Sequence, residues 1–223
     1  MASPDPWAEV RAWRVRTRDE LVQRRREAGD DVRRQVAARV GRVLDAAVNA
    51  GPPAPVIAFY WPIRGEVALF EPMRRALDRG ATAALPVVVA PDRALEFRRW
   101  TPSCRMTTGV WRIPVPADGE PVTPTLLLVP VVGFDAGGHR LGNGGGYYDR
   151  TLAALGGSAL AVGVGMECLR LPTIHPQAHD VPMDLVVTER QPEDGSPLPL
   201  PPHRRCASPP CALDELPPDR RGF

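Results

Sequence analysis

The chain contains no lysine: all 28 of its Lys+Arg positions are arginine. A phosphate loop of the Gly-Lys-Ser/Thr type is therefore excluded, and so is any lysine Schiff base, because arginine stays protonated and cannot serve as a titrating amine. Cysteine is sparse. The four, at positions 104, 168, 206 and 211, show no pairing pattern, which argues against a disulfide framework and suits a reducing compartment. Cys206 and Cys211 lie near His203, but the spacing fits no standard zinc site and a fourth ligand is missing. No apolar run approaches the roughly 20 residues of a membrane-spanning helix, and Met1 to Trp7 lacks the basic and apolar regions of a signal peptide. Excess charge is also absent: 28 basic against 26 acidic residues leave +2, no footprint for nucleic acid. At 43% hydrophobic and 24% charged, the composition is that of a soluble globular protein, and 223 residues suffice for one sizeable core or a core plus a small appendage; the cytoplasm is the expected compartment.

Proline and glycine mark the organisation. Two proline-free segments rich in Arg, Ala, Val and Leu, Trp7 to about Ala28 and Asp30 to about Asn49, predict helices. Gly51-Pro52-Pro53-Ala54-Pro55 ends the second. Beyond it the pattern predicts a strand over Val56 to Tyr60, a helix over Val67 to Arg79 broken at Gly80, and a strand over Thr82 to Val89. Leu95 to Trp100 reads as one arm of a hairpin-like pair. An apolar strand over Thr125 to Val132, a helix from Tyr147 to about Leu155, and strands over Ser158 to Val164 and Leu185 to Thr188 complete the series. Strands alternating with helices imply an α/β fold, a three-layer αβα arrangement around a mainly parallel, Rossmann-like sheet, with ligands at the strands' C-terminal ends. Residues 1–190 are expected to form one domain. From Gln191 onward, nine prolines in 33 residues leave no room for a helix or a central strand, so 191–223 reads as an irregular tail.

The densest signal lies between the strand ending at Val132 and the helix starting at Tyr147. Glycines at 142, 144, 145 and 146 let backbone amides converge on a guest that any Cβ would hold off, and such a nest of amides binds anions. The positive end of the following helix dipole faces the same guest. Strand, glycine loop and helix together point to phosphate, although glycine content alone is equally met by a flexible surface loop.

From Phe134 to Arg150 the order Phe-Asp-x-x-Gly-x-Arg-Leu-Gly-x-Gly-Gly-Gly-Tyr-Tyr-Asp-Arg closely resembles the signature of the 5-formyltetrahydrofolate cyclo-ligase family, also called methenyltetrahydrofolate synthetases. Ala58 to Val67, Leu85 to Val88, Gly109 to Pro116 and His179 to Glu189 resemble further segments of that family, so the likeness spans roughly residues 10 to 190. It implies closure of 5-formyltetrahydrofolate to 5,10-methenyltetrahydrofolate with ATP and a magnesium ion. In that reaction the formyl oxygen attacks the γ-phosphorus, and N10 then displaces phosphate from the activated carbon. The protein's part is positioning and charge neutralisation.

The resemblance also implies roles for single residues. ATP falls to Arg14 and Arg18, four apart on one helical face, and to the loop His139, Arg140, Leu141, Gly142, Asn143, Gly144, Gly145, Gly146 and Tyr147. Arg140 and Tyr148 are the expected catalytic residues, Arg140 through planar donors suited to a transferring phosphoryl group. Glu66 is the expected acceptor for the pterin's N–H donors, with Tyr60, Trp61 and Tyr148 as aromatic walls. Asp149 is the expected magnesium ligand and Asp180 the second, with Asp184 as the alternative to Asp180. His175 and His179 are expected to be structural.

This sequence departs from the family in several places. Gly145 stands where relatives often have Lys, Arg14 replaces a Lys, Thr17 replaces the Leu before Arg18, and Glu66-Val67-Ala68-Leu69 replaces Glu-x-Asp-Thr. A Gln common before the late Pro segment is missing around Glu167 to Arg170. Two further readings therefore stay open: a paralogue that keeps ATP but acts on another substrate, and a non-catalytic nucleotide sensor signalling through its tail. The sequence leaves oligomeric state open and gives no sign of a membrane or nucleic-acid partner.

Overall fold

The computed structural model describes residues 7–50 and 53–190. The proline-rich segment 191–223, with Cys206, Cys211 and His203, lies outside them.

Two 20-residue helices come first, α1 (Ala8–Glu27) and α2 (Asp30–Asn49). They differ in what they bury. The inward face of α2 is an apolar stripe of Val36, Val40, Val43 and Leu44, whereas that of α1 is Arg14, Thr17, Leu21 and Arg25. Both follow the 3.6-residue period, but only α2 follows it with apolar side chains.

The strands β1 (Val56–Ala58), β2 (Thr82–Val87), β3 (Glu96–Trp100), β6 (Leu126–Pro130), β9 (Leu160–Val164) and β10 (Leu185–Val187) form one sheet in the order β10-β9-β6-β1-β2-β3. Five strands are parallel and β3 alone runs antiparallel, against β2, so the hairpin-like arm at 95–100 pairs with the strand before it. Alternation along the strands feeds two cores. Leu126, Leu128, Ile57 and Leu85 face α1, α2 and α3 (Phe70–Asp78) in the larger cluster; Leu127, Val129, Ala58 and Ala84 face Leu152 of α4 (Tyr147–Leu155) in the smaller. Helices on both faces give the three layers expected. Two short antiparallel pairs are added: β4 (Met106–Thr108) with β5 (Pro114–Pro116), and β7 (Gly133–Phe134) with β8 (Arg140–Leu141).

The third helix begins three residues later than the sequence predicts. Tyr60 Oη donates to the Val67 carbonyl at 3.0 Å, and Glu66 closes a turn with its amide on the Ile63 carbonyl at 2.9 Å. Arg64 (φ 48°) and Gly65 (φ 80°) occupy the centre of that turn. A Cβ on Gly65 would lie 3.2 Å from Arg26 Cα, so the turn presses on the backbone of α1 and requires glycine.

Candidate active site

The chain's connections reverse between β1, which leads through α3 to β2, and β6, which leads through α4 to β9. In an open α/β sheet the crevice beyond such a point binds ligands. A cavity of about 410 Å³ opens there, reached by Tyr60 and Trp61 after β1, Pro130 at the end of β6 and Pro86 in β2.

The glycine loop forms one wall. Gly144 (φ 98°) and Gly146 (φ 64°) adopt conformations that side chains resist, and Gly146 leads directly into α4, whose amino end points at the cavity. Arg18 lies over the loop and donates from Nε to the Gly142 carbonyl at 2.9 Å. Burial, and next the neighbouring Arg14 charge, lower the Arg18 pKa. Arg150 braces the loop from behind, donating to the Gly145 carbonyl at 2.5 Å and lying over the Tyr147 ring at 5.1 Å.

Arg140, nearly buried, donates from Nη2 to Asp149 Oδ1 at 3.0 Å and from Nη1 to the Val181 carbonyl at 2.9 Å. The Val181 amide donates to the same Asp149 oxygen at 3.1 Å. Asp180 is committed elsewhere: it pairs with Arg14, whose remaining donors reach the carbonyls of Ile174 (3.2 Å) and His175 (2.8 Å). Asp180 also accepts from the Gln177 amide at 2.7 Å.

On the opposite side Glu66 is buried, with the Ile63 amide on Oε2 at 3.0 Å. Burial raises its pKa, opposed by Arg25, the Ile63 amide and Asn143. Burial pushes the Tyr148 and Tyr60 phenols up as well, helped by the Glu66 charge, so both remain protonated donors. Leu95, Val110, Ile113 and Val115 make this side apolar.

Every expected site residue lines the cavity except His139. Adjacent residues of an extended segment point to opposite sides, so with Arg140 turned inward the His139 ring meets Asp135 instead, at 3.7 Å. Asp184 does not line it either; its Oδ2 accepts from the Ala161 amide at 2.8 Å at the head of β9. His179, expected to be structural, is half exposed and lines the cavity. Among the described residues no group of three or more His, Cys, Asp or Glu is arranged to hold a metal. No described helix is long and apolar enough to cross a membrane.

Sequence reasoning also missed Trp111. It lies within a short 3-10 turn, Val110–Arg112, with φ 54° and 64% of its surface exposed, its edge against the Tyr147 ring at 5.6 Å. A large exposed aromatic in a Pro-flanked segment is the signal that could have found it.

The model of the 5-formyltetrahydrofolate cyclo-ligase family matches residues 10–189. The chain belongs to this family. It is 28% identical over 187 residues to the 5-formyltetrahydrofolate cyclo-ligase of Mycolicibacterium smegmatis, covering 78% of this chain and 92% of that one. Against the cyclo-ligase of Haemophilus influenzae it is 30% identical over 141 residues, 59% and 74% of the two chains. The solution structure of Aquifex aeolicus 5,10-methenyltetrahydrofolate synthetase superposes with a TM-score of 0.66 at 30% identity, covering 80% of this chain and 90% of that one. A Mycoplasma pneumoniae 5,10-methenyltetrahydrofolate synthetase superposes with a TM-score of 0.64 at 22% identity, covering 79% and 99%, a likeness of fold. The cyclo-ligase match stops at residue 189, short of the proline-rich segment.

Proposed function

We propose that the protein closes 5-formyltetrahydrofolate to 5,10-methenyltetrahydrofolate at the expense of ATP, releasing ADP and phosphate. The observation that carries this reading is the meeting in one cavity of the glycine loop under Arg18 with a buried carboxylate, Glu66, between aromatic walls. One end suits a triphosphate and the other a flat ring bearing N–H donors.

The N5-formyl group is an amide whose oxygen leaves poorly. Its attack on the γ-phosphorus expels ADP and converts that oxygen into part of a good leaving group. N10 then adds to the activated carbon, sheds its proton, and phosphate departs. The loop amides, the amino end of α4 and Arg18 hold the phosphates. Arg140, fixed by Asp149 and the Val181 carbonyl, brings a guanidinium to the transferring group without reorganisation. Tyr148, kept protonated by burial, serves as a hydrogen-bond donor to the reacting end of the folate.

Magnesium, when bound, neutralises phosphate charge. Asp149 fits it, because both of its hydrogen bonds fall on Oδ1, and one carboxylate with phosphate oxygens and water is an adequate magnesium site. Asp180 fits less well, with Arg14 on both of its oxygens. Dependence on ATP argues for a cytoplasmic location, and residues 1–190 for a catalytic unit that works without the tail.

The departures from the family pattern do not favour a different substrate. Ala68, in place of the family Asp, is exposed and off the cavity, Leu69 is buried in the larger core, and Arg170 pairs with Glu167 away from the site. Purified protein given MgATP and 5-formyltetrahydrofolate should produce methenyltetrahydrofolate, read by its absorbance, with one phosphate per turnover. Folded protein that binds MgATP but yields no product would point to the paralogue.

A further inference from the structure

One ion pair beneath the cavity has no counterpart in the sequence signatures. Arg25, on the last turn of α1, and Glu66 approach to 3.4 Å between Nη1 and Oε1, with side chains 2% and 4% exposed. Arg25 does not line the cavity, whereas Glu66 does. The guanidinium is held independently of the carboxylate: Nε donates to the Arg64 carbonyl at 3.1 Å and Nη1 to the Val131 carbonyl at 3.2 Å. These bonds fix a cation at the junction of α1, the β1–α3 turn and the end of β6.

The two carboxylate oxygens of Glu66 are not equivalent. Oε2 takes the Ile63 amide, while Oε1 is buried with no donor in hydrogen-bond geometry; the Asn143 side chain, which helps lower the Glu66 pKa, does not meet that geometry. A buried charged oxygen without a donor is rare in native proteins and calls for a reason. Arg25 supplies charge at Oε1 without using up its lone pairs. The other groups facing Glu66 are Arg64 on its own turn, Asn143 from the glycine loop, and the Tyr60 and Tyr148 phenols. Of these only Arg64 is charged, and it is exposed, so among the described residues facing Glu66 Arg25 is the buried cation.

We propose that Arg25 is a positioning residue for this site: it holds Glu66 ionised in an apolar floor with Oε1 left free as the acceptor for ring N–H donors of the substrate. The substrate half of this statement rests on the cyclo-ligase reading. Its logic is one of sign. A protonated Glu66 would present a hydroxyl to a ring edge that itself carries donors, and the match would be lost.

The test is a ¹³C titration of carboxyl-labelled glutamate in wild type, Arg25→Met and Arg25→Lys, with Glu66→Gln identifying the resonance. Arg25→Met should raise the Glu66 midpoint by at least about one pH unit, and Arg25→Lys should leave it near wild type. Calorimetric titration of both ligands supplies the second readout. Arg25→Met should lose about tenfold in 5-formyltetrahydrofolate affinity at a pH about one unit below its own raised Glu66 midpoint and recover most of it above that midpoint, with MgATP affinity unchanged on both sides. An unmoved Glu66 midpoint, or equal and pH-independent loss of both ligands, overturns the proposal. Should Arg25→Met not fold, Arg25→Gln retains amide donors for the two carbonyls and carries the same measurements. If wild type binds no folate, the cyclo-ligase reading fails, while the NMR titration still decides whether Arg25 governs Glu66.

Discussion

Arg14 grips Asp180 through both carboxylate oxygens, Nη2 to Oδ2 at 2.5 Å and Nη1 to Oδ1 at 3.5 Å, with each side chain less than a tenth exposed. Two residues that the family resemblance assigns to phosphate and to magnesium are thus each other's partner. Since Arg14 also holds the Ile174 and His175 carbonyls, the pair fastens the 174–180 segment, one wall of the cavity, to α1.

Asp180→Asn should therefore act first on stability, costing about 1–3 kcal/mol at neutral pH by weakening a buried charged hydrogen bond. Burial works against the Asp180 charge, but the Arg14 hydrogen bond and the Gln177 amide outweigh it and hold its pKa below the usual value. A carboxylate depressed in the folded state contributes stability above its unfolded pKa, about 3.9 for Asp, and loses it as pH falls through the folded value. The gap in melting temperature between wild type and Asp180→Asn should accordingly be constant near neutrality and close below about pH 4. Unchanged stability with a raised magnesium requirement would instead make Asp180 a metal ligand.

The glycine loop, its flanking strand and the helix from Tyr147 were legible because they follow local rules: an apolar run, residues that tolerate positive φ, a helix start. The late start of α3 was not, because the Tyr60 hydroxyl that takes the Val67 carbonyl comes from seven residues upstream. The arm at 95–100 was legible but its pairing with β2 was not, because strand pairing is a tertiary choice, and the three-residue strands of the β4–β5 arm carry little pattern of their own. Arg25 was hidden most completely. Arginine on a basic helix reads as solvated surface, and only the turn pressed against α1 through Gly65 shows that this one is sealed in. His139 shows the converse, a residue inside a recognisable signature that strand alternation turns away from the site.

Asp149→Asn tests the metal role. The amide keeps an oxygen for Arg140 and the Val181 amide but takes the counter-charge from a buried guanidinium, so stability should fall by about 1–3 kcal/mol without loss of the fold, while the charge that magnesium needs is gone. Turnover should fall at least about tenfold, roughly 1.4 kcal/mol of barrier, with half-saturation moving to higher magnesium. Wild-type turnover at limiting magnesium would reduce Asp149 to a brace for Arg140.

Arg18→Met separates the nucleotide end of the cavity from the folate end. Removing the guanidinium over the loop should weaken MgATP by about 1.5–3 kcal/mol, roughly ten- to 150-fold, the range for hydrogen bonds to charged groups. Binding of 5-formyltetrahydrofolate alone should be unaffected. Equal weakening of both ligands would mean that Arg18 shapes the loop through Gly142 rather than binding phosphate.

Trp111 is the sharpest case of conformation held against local preference. Trp111 at φ 54° and Arg112 at φ 61° occupy a region that costs about 1–3 kcal/mol for each non-glycine residue. The indole is mostly exposed and gains little from packing, so stability does not explain the arrangement. Its edge meets Tyr147, and its neighbours Val110 and Ile113 line the apolar side of the cavity. Trp111→Gly releases the strain at 111 while adding about 0.5–1 kcal/mol of unfolded-chain entropy, so melting should stay within about 1 kcal/mol of wild type. The KM for 5-formyltetrahydrofolate should rise roughly two- to tenfold, the loss of one aromatic contact worth about 0.5–1.5 kcal/mol. A stability loss above about 2 kcal/mol with KM unchanged, of the size core truncations give, would show that the strained turn serves the fold and not the ligand.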